Sequence, residues 1–140
     1  MAKQHKIDTL IASICDEFKV KVLVNTSFSK DYGECYPDSC EIHLSQKYSS
    51  EKIKIAVFLH ELSHIVTMRR NGSRYLAASV FQEESAVWSL AQEFHLKYLD
   101  KPFCKSQADF MLKCLKTYSQ HHYSFKKRYN KEIVQEKSKK

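Results

Sequence analysis

Residues 53–68 read IKIAVFLHELSHIVTM, and this stretch decides the fold. Inside it, His60, Glu61 and His64 form the pattern His-Glu-x-x-His, flanked by apolar residues. At about 3.6 residues per turn, a helix places His60 and His64 one above the other on one face, so both imidazoles can bind one metal ion. Glu61 then stands about 100° around the helix from His60, close to the ion without pointing at it. The pattern predicts a helix that carries a metal site.

Apolar residues occupy every face of this predicted helix, which indicates a buried helix rather than a surface one. They are Ile53, Ile55, Ala56, Val57, Phe58, Leu59, Leu62, Ile65, Val66 and Met68. Two histidines and a carboxylate are costly inside a protein unless they are paired or bind a metal. A pair of hydrogen-bonded core histidines is the alternative, and the cost of burial favours the metal. A glutamate beside the ion suits the role of general base for a water molecule.

Composition narrows the class of protein. A chain of 140 residues is long enough for one domain with a proper core, and 43% hydrophobic residues exclude a wholly disordered chain. Glycine and proline occur only twice each, which favours helices with few tight turns. No apolar run is long enough to cross a bilayer, and no signal-peptide core follows Met1. We therefore expect a cytoplasmic protein without a membrane partner.

The five cysteines are expected to be free thiols, as is usual in the cytoplasm. Cys35 and Cys40 could instead form a disulfide or, with His43, part of a second metal site. An odd number of cysteines and the lack of a secretion signal favour free thiols.

The net charge of +7 is concentrated at the C-terminus, where residues 124–140 carry seven Lys or Arg against two Glu. We therefore divide the chain into one domain, residues 1–123, and a basic tail, residues 124–140. Aromatic residues lie between the cations of the tail, a composition that suits nucleic-acid binding. A solvated end that aids solubility is the favoured alternative.

An α+β fold with a small sheet is predicted. Helical spacing of apolar residues predicts an amphipathic N-terminal helix over residues 6–18. Alternating patterns predict strands at residues 20–24 and 41–45, and a further strand begins at Cys35 after a loop over residues 26–34. These segments predict an antiparallel or mixed sheet of two to three strands.

Capping residues set the ends of the other helices. Ser49 or Ser50 suits the start of the motif helix, and Asn71-Gly72 suits its end. A second long helix is predicted from a cap at Ser79 to about residue 98. A further helix, capped by Ser106, carries a row of apolar residues: Phe110, Met111, Cys114, Leu115 and Tyr118.

A catalytic zinc usually has three protein ligands and one open position, so a third ligand is expected on the second long helix. The candidates are Glu83, Glu84 and His95. Glu84 falls in one apolar stripe with Trp88, whereas Glu83 lies about 100° away and suits a solvated acid in the first turn. His95 shares the stripe but lies about 16 Å further along the helix. Helical phase therefore favours Glu84.

The HELSH motif, followed twenty residues later by Glu84 in the run ESAVWSLA, resembles the gluzincin zinc metallopeptidases. Within that group the chain is most similar to the small ImmA/IrrE-type proteins and their phage-encoded relatives. The upstream part is similar as well, with a strand and then residues 33–36 and 42–44 leading into the motif helix. The resemblance covers about residues 5–99.

The resemblance implies a minimal zincin-like fold in which His60, His64 and Glu84 bind Zn2+ and Glu61 is the catalytic base. It implies an endopeptidase that hydrolyses peptide bonds of an intracellular protein. In such enzymes the strand before the motif helix commonly borders the substrate cleft, which points to residues 41–45. Two other functions compete with this one: a catalytically inactive, zinc-stabilised domain, and a nucleic-acid-associated protein that uses the basic tail.

Overall fold

Four helices and a three-stranded sheet make up the computed structural model of the chain. In chain order they are α1 (Ala2–Phe18), β1 (Lys21–Asn25), β2 (Gly33–Tyr36), β3 (Glu41–Ser45), α2 (Glu51–Arg70), α3 (Val80–Leu99) and α4 (Lys105–Gln120). This arrangement confirms the predicted α+β class and the N-terminal helix.

The structure describes residues 2–70 and 80–120, and the side chains of residues 6–70 and 80–118. Three predictions lie outside these ranges: the helix stop at Asn71-Gly72, the cap at Ser79 and the basic tail of residues 124–140.

The sheet is mixed, with the strand order β1-β3-β2. β3 pairs in parallel with β1 and antiparallel with β2, so it is hydrogen-bonded on both sides. Ile42 and Leu44 of β3 point into the core and are fully buried, as their alternation predicts. The predicted loop over residues 26–34 is wrong at its end, because Gly33 and Glu34 already pair with β3.

α2 is the central element of the fold, and thirteen of its twenty residues are buried. The sheet packs on one side of it, and the other three helices cover the rest. The Ser50 hydroxyl accepts a hydrogen bond from the Ile53 N–H at 3.2 Å, which identifies Ser50 as the N-cap. At the other end, Arg69 Nη1 donates to the Phe18 carbonyl at 2.6 Å and joins α2 to the end of α1.

Helices α1 and α3 each end without a glycine, and the chain contains only two glycines. Lys19 and Asp100 take left-handed conformations, with φ of 55° and 59°, directly after α1 and α3. After α1, the N–H of Val20, the residue that follows Lys19, donates to the Cys15 carbonyl. After α3, the N–H of Asp100 itself donates to the Leu96 carbonyl.

α4 begins one residue before the predicted cap, so the assignment of Ser106 as the cap is wrong. Cys104 occupies the cap position, because its carbonyl accepts from the Ala108 N–H at 2.9 Å. The Gln107 side chain reaches back and accepts from the Cys104 N–H at 2.8 Å. Gln107 thus has the role that Glu or Gln has in a capping box.

All five cysteines are free thiols, as predicted. The thiol of Cys35 interacts with Glu61, whereas the thiol of Cys40 lies 3.1 Å from Arg69 Nη2, so the two do not share a partner. Among the described helices, none combines the length and the hydropathy that crossing a bilayer requires.

Candidate metal centre

Three side chains from two helices converge in the core: His60 and His64 from α2, and Glu84 from α3. One ligand atom from each lies within 4.8 Å of the other two. Glu84 links the histidines, since its Oε2 lies 2.6 Å from His60 Nε2 and its Oε1 lies 3.0 Å from His64 Nε2. We call these three residues the His-His-Glu cluster. The cluster could hold a metal ion, and it brings together the three ligands predicted from the sequence.

The three side chains of the cluster differ in their exposure. The side chains of His60 and Glu84 are 11% and 8% exposed, whereas that of His64 is 17% exposed. His64 is therefore the most exposed of the three side chains.

Helical phase on α3 identifies the acid that joins the cluster. Glu84 projects with the fully buried residues Val87, Trp88 and Ala91 towards α2, as predicted. The expectation that Glu83 is solvated is wrong, because Glu83 is only 9% exposed. Burial and the charge of Glu61 raise the pKa of the Cys35 thiol most, and the charges of Glu84 and Glu83 add to the shift.

His95, the other ligand candidate, lies in a separate buried network on α3. Its Nδ1 donates to the Lys101 carbonyl at 2.7 Å, and its Nε2 lies 3.1 Å from Gln107 Nε2. Gln107 also donates to the Lys52 carbonyl at 2.8 Å and accepts from Cys104. We call these contacts the helix-junction network, because they join the start of α2, the end of α3 and the start of α4.

Glu61 lies beside the cluster without belonging to it. Its Oε2 is 3.1 Å from His60 Nδ1, on the opposite edge of the imidazole from Glu84. The residue is 7% exposed. Glu61 is thus next to one ligand and outside the ligand set, and its role as the base stays a prediction.

The strand that approaches Glu61 is β2, and the expectation that residues 41–45 border a substrate cleft stays a prediction. A Cβ atom on Gly33 would lie 2.6 Å from Val57 Cγ1 and 3.4 Å from Glu61 Cγ, so glycine is what allows β2 to approach α2 this closely. β3 is the central strand and bonds to a neighbour along both edges. Among the described strands, β2 is therefore the edge strand that lies next to Glu61.

Electrostatics favour positive charge between the two carboxylates. Burial opposes the charged form of His60, but the charge of Glu61 and the hydrogen bonds to Glu61 and Glu84 outweigh it and raise the pKa of the imidazole. Burial also opposes the carboxylate of Glu84, yet the hydrogen bonds from His60 and His64 lower its pKa. A cation in this position lies between the carboxyl groups of Glu61 and Glu84.

Neutral side chains surround these charges. Burial raises the pKa of the Cys114 thiol to about 11, and the charges of Glu84 and Glu61 add to the shift. The same causes raise the pKa of the Tyr118 phenol. The sequence placed both residues on one predicted helix but did not connect them with the site. Their spacing of four residues was the signal that they share a face of α4.

Comparisons with protein-family models, with curated proteins and with solved structures found no match to this chain. The similarity to gluzincins therefore stays a prediction that rests on the HELSH motif and Glu84. The meeting of His60, His64 and Glu84 is an independent observation, because it depends on how α2 and α3 pack and not on any relative.

Proposed function

We propose that this chain is a zinc-dependent metallopeptidase that hydrolyses peptide bonds of a protein in the cytoplasm. One observation carries the proposal: His60, His64 and Glu84 converge, while Glu61 lies against His60 but outside the ligand set. A carboxylate next to the ligand set but outside it can act as the base for a water molecule at the metal. The five free thiols suit a reducing compartment.

The donor set fits zinc. Two imidazole nitrogens and one carboxylate oxygen are a common set for catalytic zinc, which keeps one further position open. Ligand atoms bound to one tetrahedral zinc lie about 3.4 Å apart, given bonds of about 2.1 Å. Two different oxygens of Glu84 lie 2.6 and 3.0 Å from the histidine nitrogens, and one ligand atom from each residue lies within 4.8 Å of the other two. Side-chain shifts of about 1 Å would bring three such atoms to this spacing.

Each residue of the site then has a role. Zinc held there supplies a Lewis acid that polarises the peptide carbonyl and acidifies a water molecule. Glu61 accepts a proton as the water oxygen bonds to the carbonyl carbon, and it passes this proton to the nitrogen as the carbon–nitrogen bond breaks. The apolar residues of α2 keep the surroundings dry, which strengthens these interactions.

The test is the substitution Glu61→Gln, with Glu93→Gln as the matched control. Glu93 is exposed on α3, so the control makes the same chemical change far from the cluster. We expect Glu61→Gln to keep one zinc per chain and to lose peptidase activity about 10²–10⁴-fold, the usual contribution of a general base. Zinc is measured by atomic emission, and hydrolysis with a mixture of fluorogenic peptides and with casein.

Other results would contradict the proposal in distinct ways. Equal hydrolysis by wild type and Glu61→Gln, at the level of the buffer, would support the inactive zinc-stabilised domain. Loss of zinc from Glu61→Gln would make Glu61 a ligand rather than the base.

A further inference from the structure

Trp88 lies directly against the candidate ligand His60. The two rings are stacked, with centroids 4.2 Å apart and planes inclined by 20°. Trp88 follows Glu84 by four residues, so one face of α3 presents both a ligand and the ring that covers His60. His64 differs in this respect: its described ring contact is an edge-on approach to His60, with centroids 4.7 Å apart.

The indole is itself held firmly. Trp88 is 2% exposed, and the rings of Phe103 and Phe110 meet it edge-on, with centroids 6.2 and 6.3 Å away. Within the described residues its Nε1 has no hydrogen-bond partner. An unpaired N–H in the core is unfavourable, so hydrogen bonding does not account for a tryptophan at this position. The described contacts of the indole are ring contacts, and the stack on His60 has the shortest centroid distance of these.

Stacking restricts what the His60 imidazole can do. The ring must keep Nε2 towards Glu84 and Nδ1 towards Glu61, and a half-turn of the ring would exchange these nitrogens for carbons. A flat indole on one face obstructs that half-turn. The electron-rich face also attracts a ring that carries positive charge, as an imidazole does when it binds a cation. Both effects favour the orientation of His60 that binds metal.

We infer that Trp88 is a positioning residue that holds His60 for metal binding. The inference rests on the metal-binding part of the proposed function, and it extends the site beyond its ligands and base. Groups that orient a metal-binding histidine usually act through a hydrogen bond to the second ring nitrogen. Here Glu61 takes that nitrogen, and the indole acts on the face of the ring.

Three variants of the full chain test the inference. Trp88→Leu removes the aromatic face, Trp88→Phe keeps a smaller one, and Phe110→Leu is the control. The control removes an aromatic ring that contacts Trp88, and so loosens the same part of the core without uncovering His60. For each variant the zinc dissociation constant is measured by competition with a chromophoric chelator, and the melting temperature of the zinc-free chain is measured separately.

We expect Trp88→Leu to weaken zinc binding about 10–100-fold, the usual effect of losing a group that orients a ligand. Trp88→Phe, whose smaller ring covers less of His60, should show a smaller but measurable loss, and Phe110→Leu should bind zinc about as tightly as wild type even though it melts earlier. A wild-type zinc constant in Trp88→Leu would overturn the inference. An equal loss of affinity in Phe110→Leu would do the same, since the effect would then come from the core in general.

A second measurement needs no zinc. In the zinc-free chain, the ring nitrogens of His60 should give one set of NMR signals in wild type and averaged or doubled signals in Trp88→Phe. If Trp88→Leu fails to fold, this comparison and the zinc constant of Trp88→Phe decide the matter, and two identical spectra with equal zinc constants would overturn the inference. A chain that binds zinc and cleaves no peptide would contradict the proposed activity but not the role of Trp88.

Discussion

α3 contributes residues to two buried sites that contain histidine. The two sites differ in what the histidine ring nitrogens contact. In the His-His-Glu cluster, Nε2 of His60 and Nε2 of His64 both meet one carboxylate, Glu84. In the helix-junction network, Nδ1 of His95 donates to a backbone carbonyl and Nε2 accepts from an amide. Both sites lie in the core, where His60 is 9% and His95 is 3% exposed.

The difference shows that burial alone does not identify a metal ligand. His95 is satisfied as a neutral ring, because one nitrogen donates and the other accepts. In the described part of the chain, the contacts within the cluster join two imidazoles to one carboxylate without a backbone group, and such a set favours an added cation. We therefore expect substitutions in the cluster to change metal binding, and substitutions in the helix-junction network to change stability alone.

The largest effect expected is on metal binding, from Glu84→Ala. Removing one of three ligands should weaken zinc binding by about 10³-fold or more, since zinc tolerates little error in ligand position. Glu83→Ala is the matched control, because both acids are buried near the start of α3 and only Glu84 belongs to the cluster. Zinc content after dialysis measures the outcome.

Trp88 also allows the position of the metal to be tested. It is the only tryptophan of the chain and lies against His60, so Co2+ in the cluster should quench its fluorescence. Quenching that survives in Glu84→Ala but disappears in Glu83→Ala would reverse the ligand assignment.

Gln107→Leu should lower stability without changing metal binding. The substitution removes the partner of His95, of the Cys104 N–H and of the Lys52 carbonyl. Leaving such groups unpaired should lower the free energy of unfolding by about 3 kcal/mol, measured with urea. Zinc content should remain that of wild type. A fall in zinc content equal to that in Glu84→Ala would show that the two sites are not independent.

Removing the metal should destabilise the chain through the cluster. A ligand that binds only the folded state adds about 2.7 kcal/mol when its concentration is about 100 times its dissociation constant. Chelation should therefore lower the melting temperature of wild type and of Gln107→Leu by similar amounts. Glu84→Ala serves as the control, because its melting curve should not respond to the chelator.

The smallest effect expected is a dependence of stability on pH that comes from His95. Burial lowers the pKa of His95, the charge of Lys101 lowers it further, and the hydrogen bond to the Lys101 carbonyl opposes both. Below pH of about 6.5, His95 of the unfolded chain takes up a proton, whereas His95 of the folded chain does so only at lower pH. Stability from this group is therefore complete above pH of about 6.5 and is lost as the pH falls towards the folded pKa.

His95→Gln isolates this contribution, since other titrating groups are common to both proteins. The melting temperature of wild type should approach that of His95→Gln as the pH falls from 7 to 5, because only wild type loses stability through this residue. Parallel curves of melting temperature against pH for the two proteins would show that folding does not change the pKa of His95.

Local patterns in the sequence were enough to predict the elements and part of the site. The spacing of His60 and His64 depends only on the pitch of a helix, and the apolar residues around them predicted a buried one, as α2 is. The alternation of Ile42 and Leu44 predicted their burial in β3. Helical phase was also sufficient to separate Glu84 from Glu83 as a member of the cluster. Each of these results follows from distances within one element.

Other features depended on how the elements pack, and no local pattern contains that information. The strand order β1-β3-β2 brings Gly33, rather than β3, against Glu61, and short segments of similar composition do not specify which strand is central. The burial of Glu83 depends on what lies beside the first turn of α3, although a first-turn acid is usually solvated. Trp88 can stack on His60 only if α2 and α3 are each rotated about their own axes so that these two residues face each other. Side-chain spacing along one helix cannot determine that rotation, because it is the contact between the helices that sets it.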